Sequence, residues 1–166
     1  MKIYTKNIKN EIHSKLIEFG KKDVPTSWRL SIPGEHNLEN IAATLAVGKI
    51  FGLTKKQMRS SIESFSGLEH RLELIRTIND ISFINDTTST TPVAGVKALN
   101  SMIKPTILLA GGATKNLNLT EFARAIAKKV KAVVLLEGTA TNELYKKICK
   151  HGGEHLIAGR YDNFEK

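Results

Sequence analysis

The chain has 166 residues, 41% hydrophobic and 25% charged, a net charge of +9 and one cysteine, Cys149. That length makes one domain, or one domain with part of another, and a lone cysteine excludes an internal disulfide or a cysteine metal cluster and fits a reducing compartment. No apolar run approaches the ~20 residues that span a bilayer, and Met1-Lys-Ile-Tyr-Thr-Lys6 lacks the apolar core of a signal peptide, so a soluble, cytoplasmic protein without a membrane partner is expected.

Residues 1–33 carry weak patterns. Ile12, Leu16 and Ile17 suggest part of an amphipathic helix blurred by His13 and the lysines, and Trp28, Leu30 and Ile32 alternate as a short strand would. After Pro33-Gly34 the signal sharpens. Leu38, Ile41, Ala42, Leu45, Ala46 and Ile50 recur at helical spacing from Asn37 to Phe51, and Gly52 stops them. Thr54-Lys-Lys-Gln57 is a capping box for a second helix, with Leu53 and Met58 as its staple and Met58, Ile62 and Phe65 as its buried stripe.

Gly67-Leu-Glu-His-Arg71 breaks this pattern and opens a second region, 67–166. Leu72 and Leu74 suggest a strand, Asn79-Asp80 a turn, and Ile81–Ile84 the returning strand. A helix with Val93, Val96 and Leu99 follows, then a buried strand from Thr106 to Ala110. Asn118-Leu-Thr-Glu121 reads as a capping box for a helix with Leu119, Phe122, Ala123 and Ile126 on one face. Val130–Leu136 is another buried strand, Glu143–Cys149 a helix, and His155–Ala158 a strand. Asp162–Lys166 starts a further helix, so the domain is expected to be unfinished. Strand and helix alternate from Phe83 onward, which predicts an α/β fold: a mostly parallel sheet with helices on both faces. Ligands of such sheets bind beyond the carboxyl ends of the strands.

Lysines occur in scattered pairs, such as Lys55-Lys56 and Lys128-Lys129, without an aromatic ladder or a helix-turn-helix or zinc signature. This argues against nucleic acid as a partner, and a non-catalytic basic binding module is the weaker alternative.

Two loops at strand ends carry the strongest chemistry. Asn85-Asp86-Thr87-Thr88-Ser89-Thr90-Thr91-Pro92 places a carboxylate beside hydroxyls and the amides of a helix start, which suits a metal or hydroxyl next to an anion. The plainer alternative makes Thr91 an N-cap, Pro92 the first helical residue and Asp86 a turn acid. Gly111-Gly-Ala-Thr-Lys115-Asn116 lets backbone approach a ligand beside an ammonium, although it is not a Walker A loop and, read alone, a solvated loop lysine is the plainer alternative. Asn37 and Asn40, three apart on a helix, share a face and could read adenine with their amides; capping and solvation are the alternative. Arg71 could fork onto a phosphate, or pair with Glu69 or Glu73 at small benefit.

In order and approximate spacing, Pro33-Gly34-x-His36-Asn37-x-x-Asn40, Gly67-Leu-Glu-His-Arg71, Asn85–Pro92 and Gly111-Gly112-x-x-Lys115 resemble the successive motifs of the Mur ligases, from about residue 30 onward. The resemblance implies that residues 1–66 are the end of a central ATP-binding domain and 67–166 most of a Rossmann-like C-terminal domain that binds the incoming amino acid. It implies ATP and Mg2+ as cofactors, no metal ligand within the chain, and a monomer joining D-glutamate to UDP-N-acetylmuramoyl-L-alanine through an acyl phosphate. Asn37 and Asn40 would contact adenine. Arg71 and Asp86 would bind nucleotide as the catalytic pair near the hinge, and Thr90 and Lys115 would hold the D-glutamate carboxylates. Thr88 departs from the family, which commonly has a lysine there. The glycine-rich phosphate loop, the UDP-binding domain and the last part of the amino-acid pocket are missing, so 166 residues alone are expected to be inactive. Another Mur-type amino-acid ligase is the alternative, although the Asp-Asn-Pro-Arg and Asp-x-Ala-His-Asn-Pro loops of related branches are lacking.

Overall fold

The computed structural model describes residues 16–162, which divide between Ser66 and Gly67 into two compact units. The helix expected around Ile12 and the one expected to follow Asp162 fall outside the described residues. Leu16 and Ile17 are exposed and belong to no helix.

The first unit is built on α1 (Glu35–Ile50) and α2 (Lys55–Ser64). Ile41, Ala42 and Leu45 of α1 bury themselves with Met58 of α2 and with Val24 and Trp28 from the preceding segment. α1 ends because Gly52 takes φ +72°. That left-handed residue lets the Gly52 and Leu53 amides reach back to the carbonyls of Lys49 and Gly48, at 3.2 and 2.9 Å, a Schellman closure that favours glycine. The expected capping box starts α2: Gln57 N–H donates to Thr54 Oγ1 at 3.3 Å, and Thr54 N–H to Gln57 Oε1 at 2.9 Å.

Two expectations for this unit change. Trp28, Leu30 and Ile32 form no strand. The Trp28 amide closes a turn onto Pro25 O, and the Arg29 amide goes to Glu63 Oε1 at 2.9 Å. Backbone groups committed to a turn and a side chain cannot build a ladder, and the three apolar side chains pack against the helical core instead. Phe65 follows the last turn of α2 and is 43% exposed, so it lies off the buried stripe.

The second unit contains β1 (Glu73–Ile78), β2 (Ile81–Asn85), α3 (Pro92–Ser101), β3 (Thr106–Gly111), α4 (Thr120–Lys129), β4 (Val130–Leu136), α5 (Thr141–Lys150) and β5 (Ile157–Tyr161). β1 and β2 pair as a hairpin with Ile78 opposite Ile81. Its two loop residues, Asn79 and Asp80, both have positive φ, 48° and 62°, as a type I′ turn requires. β3, β4 and β5 form a parallel sheet in that order. Thus β2 does not join the parallel sheet as the alternation from Phe83 predicted. It pairs only with β1 among the described strands, and Ile81 and Phe83 are 62% and 50% exposed, so their apolar run does not mark a buried parallel strand.

The α/β class holds. Central β4 turns Val133 and Leu135, both fully buried, toward Ala123 and Ile126 of α4, Leu144 and Ile148 of α5 and Leu99 of α3. On the opposite face of β3, Ile107 and Leu109 are exposed.

Smaller differences follow local bonding. Val93 lies off the buried face of α3. No capping box forms at Asn118: its Oδ1 accepts the Thr120 amide at 2.9 Å, while Glu121 pairs with Arg124 instead of reaching back. His155 and Leu156 belong to a short 3-10 turn, and β5 starts at Ile157, two residues later than expected.

Ile126 is fully buried. Ile126→Ala is expected to cost about 2–5 kcal/mol in urea denaturation, whereas exposed Ile107→Ala should stay within about 1 kcal/mol.

Candidate functional site

Parallel strands deliver their following loops to one edge of the sheet. At that edge the loops after β3 and β4 press backbone against backbone. A Cβ on Gly111, the last residue of β3, would collide with Leu136 O, and one on Gly138 would collide with Gly112 O. Neither site accepts a side chain without moving main chain.

The contact is stitched by hydrogen bonds. Ala140 N–H donates to Gly112 O at 3.1 Å. Thr114 N–H donates to Thr139 Oγ1 at 2.9 Å, and Asn116 N–H donates to Thr114 Oγ1 at 3.0 Å. Lys115 is therefore held between two fastened neighbours. Its own side chain is exposed, with no hydrogen bond or ion pair among the described residues.

Gly138 and Thr139 were not among the residues expected from sequence. Their signal was present: a glycine two residues after an apolar strand, much as Gly111-Gly112 closes β3.

The second loop joins β2 to α3. The plainer reading of its end is realised: Thr91 Oγ1 accepts the Ala94 amide at 3.3 Å and Pro92 begins the helix. Asp86 is half-buried, and its Oδ1 accepts the Leu72 amide at 3.0 Å. That bond ties the segment next to Arg71 to the Asp86 loop. Glu73, weighed as a partner of Arg71, instead takes the His70 amide at 2.7 Å. The Arg71 guanidinium is exposed and makes no ion pair among the described residues. Thr90 stands on the same loop with its side chain exposed and its amide bonded to Thr88 O at 2.9 Å. Arg71, Asp86 and Thr90 thus belong to one bonded assembly. Lys115 lies on the other loop, and no hydrogen bond joins it to Thr90 among the described residues.

Asn37 and Asn40 lie in the first unit. Asn40 Nδ2 donates to Asn37 Oδ1 at 3.1 Å, and Asn37 Nδ2 donates to Pro33 O. The amides do share a face. Asn37 is largely spent on local bonds, while Asn40 keeps its Oδ1 and one N–H, the pair an adenine edge needs. No group of three or more His, Cys, Asp or Glu side chains gathers in metal-binding proximity among the described residues.

Beside the Gly138 turn, Arg160 Nε donates to Glu137 Oε1 at 2.7 Å and its Nη2 donates to Asn142 Oδ1 at 2.8 Å. The guanidinium bond holds the Glu137 carboxyl below its ordinary value of 4.5.

No protein-family model matches the chain. Curated relatives do. A UDP-N-acetylmuramoylalanine–D-glutamate ligase from Roseiflexus sp. (strain RS-1) is 40% identical over 147 residues, 89% of this chain and 32% of the relative. The protein of that name from Natranaerobius thermophilus is 44% identical over 117 residues, 70% of this chain and 24% of the relative. The chain belongs to the Mur ligase family. It spans about a third or less of the length of these Mur ligases.

Solved structures share the fold. The UDP-N-acetylmuramate-alanine ligase of Thermotoga maritima superposes with TM-score 0.62 at 20% identity, over 80% of this chain and 30% of that one. A folylpolyglutamate synthase from Mycobacterium tuberculosis, complexed with ADP, gives 0.61 at 18% identity, over 80% of this chain and 32% of its own.

Two outcomes test the geometry. Gly138→Ala should cost about 1–3 kcal/mol by forcing two backbones apart, read by denaturant titration. The Glu137 carboxylate contributes stability above its unfolded value, and this is lost as pH falls through the lowered folded value. The melting-temperature gap between wild type and Glu137→Gln should therefore be present near neutrality and close on acidification. A gap unchanged by pH would remove the charge from the explanation.

Proposed function

We propose that this chain is part of an ATP-dependent ligase that joins D-glutamate to UDP-N-acetylmuramoyl-L-alanine. Residues 1–66 are read as the end of the nucleotide-binding central domain and 67–166 as most of the amino-acid-binding C-terminal domain. The observation that carries the reading is the 40% identity to a ligase named for that reaction over 89% of the chain, a stretch long enough to include every candidate residue.

The chemistry needs an activated carboxyl. The terminal phosphoryl group of ATP passes to the substrate carboxylate, giving an acyl phosphate and ADP. The amine of D-glutamate then attacks that carbonyl, and the collapsing tetrahedral intermediate releases phosphate and leaves an amide. The amino-acid amine reaches this step deprotonated and loses its remaining extra proton as the amide forms.

The chain's own groups bind and orient. Asn40, supported by Asn37, suits the adenine edge. Arg71 supplies a guanidinium fork for phosphate, and the Asp86 oxygen left over from Leu72 can accept from a hydroxyl of the nucleotide. Thr90 at the start of α3 and the ammonium of Lys115 suit the two carboxylates of D-glutamate. Mg2+ usually reaches such sites with the nucleotide phosphates and only one or two carboxylates, where it neutralises phosphate charge. Of the candidate residues only Asp86 carries a carboxylate that could make such a contact, although the resemblance assigns the chain no metal ligand.

On this reading the protein works as a monomer on small soluble substrates in the cytoplasm, with neither nucleic acid nor membrane as partner. No helix among the described residues is long and apolar enough to cross a membrane.

The test is phosphate release by the intact protein with ATP, UDP-N-acetylmuramoyl-L-alanine and a panel of amino acids. D-Glutamate should be required; equal release with L-alanine or a diamino acid would assign the chain to another branch. Lys115→Ala should raise KM for D-glutamate about ten- to a hundredfold, the worth of one charge-assisted bond, with a smaller change in KM for ATP. Unchanged kinetics would remove Lys115 from the site.

A further inference from the structure

Thr88 is the loop's departure from the family pattern, and the ligase reading gives it no task. The structure does. Its amide donates to the His70 carbonyl at 3.1 Å and its hydroxyl donates to the same oxygen at 2.7 Å. One residue thus satisfies both lone pairs of one carbonyl.

That carbonyl sits on strained backbone. His70 and Leu72 hold φ of 62° and 46°, left-handed values that side chains with a Cβ adopt only when their surroundings enforce them. The enforcement can be read bond by bond. The His70 amide goes to Glu73 Oε2 at 2.7 Å, and the His70 ring Nδ1 meets Asn85 Nδ2 at 2.9 Å. The Leu72 amide goes to Asp86 Oδ1 at 3.0 Å. Arg71 lies between the two strained residues, and of the four residues that fasten them, Asn85, Asp86 and Thr88 belong to the segment that also carries Thr90.

We infer that Thr88 is a positioning residue: by clamping the His70 carbonyl it fixes Arg71 against the Asp86–Thr90 loop, so that phosphate-binding and amino-acid-binding groups move as one piece. The roles of Arg71, Asp86 and Thr90 in this inference rest on the ligase reading above. A lysine at the same position would offer an ammonium on a long flexible stem and no short hydroxyl to donate into the adjacent carbonyl. Threonine exchanges a mobile charge for a rigid clamp.

The decisive variants are Thr88→Val, which keeps shape and amide but removes the hydroxyl donor, and Thr88→Ser, which restores it. Steady-state kinetics of the intact protein should show KM for ATP and KM for D-glutamate rising together in Thr88→Val by about three- to tenfold, the worth of one hydrogen bond. Thr88→Ser should stay within about twofold of wild type.

A merely structural role would lower the active fraction, so kcat would fall while both KM values stayed put. That result overturns the inference, as does a Thr88→Val enzyme with wild-type constants, a rise in only one KM, or a serine variant as impaired as valine. Failure of the ligase reading shows separately: wild type would release no phosphate in response to D-glutamate, and the inference would fall with it.

Discussion

β4 is the constraint on which the second unit depends. It is the only described strand with a neighbour on both sides, and its Val133 and Leu135 are sealed by side chains from three helices. Because the strand cannot shift without opening that core, the turn that follows it is fixed in space. Gly138 then comes so near Gly112 that no side chain fits between the two main chains. The rigidity of the core is thereby transmitted to the loop holding Lys115, which would otherwise be an exposed glycine-rich segment. Sites that bind charged groups need such preorganisation, since a floppy loop would spend binding energy on its own ordering.

The loop after β2 is stabilised differently. It has little buried apolar surface beneath it, since Ile81 and Phe83 are substantially exposed. Its definition comes from polar bonds: Asp86 to Leu72, Asn85 and Thr88 to His70, and the N-cap at Thr91. One candidate loop is therefore fixed by packing and backbone contact and the other by a hydrogen-bond network. Hydrogen bonds in such a network polarise one another, so removing one member of the second loop should weaken the others.

Much of this was legible in the residues because it is local. The Thr54–Gln57 capping box, the Asn79-Asp80 turn and the Pro92 helix start each depend on chemistry within four residues, and each is realised. The apolar runs of β3 and β4 also marked strands, although β3, expected to be buried, leaves Ile107 and Leu109 exposed on one face. Residues whose conformation is set from a distance were not readable in the same way. Trp28, Leu30 and Ile32 alternate like a strand, yet Glu63 takes the amide that a ladder would need. The run Ile81–Ile84 returns on Glu73–Ile78 as its turn signal implies, but the alternation of strand and helix from Phe83 does not carry it into the parallel sheet. For the site, Asp86 and Arg71 could be named from their motifs, but the clamp at Thr88 and the support from Thr139 rest on bonds across 18 and 25 residues of sequence. No pattern of spacing encodes those bonds.

The claim at the centre of the account is that the loops after β2 and β3 receive the amino acid. Amide chemical-shift mapping tests it directly: D-glutamate is titrated into the isotopically labelled intact protein in the presence of a non-hydrolysable ATP analogue. The account predicts saturable shifts concentrated at residues 87–91 and 114–116, produced by D-glutamate and much more weakly by L-glutamate. Shifts confined to other surfaces, or equal responses to the two enantiomers, would contradict it.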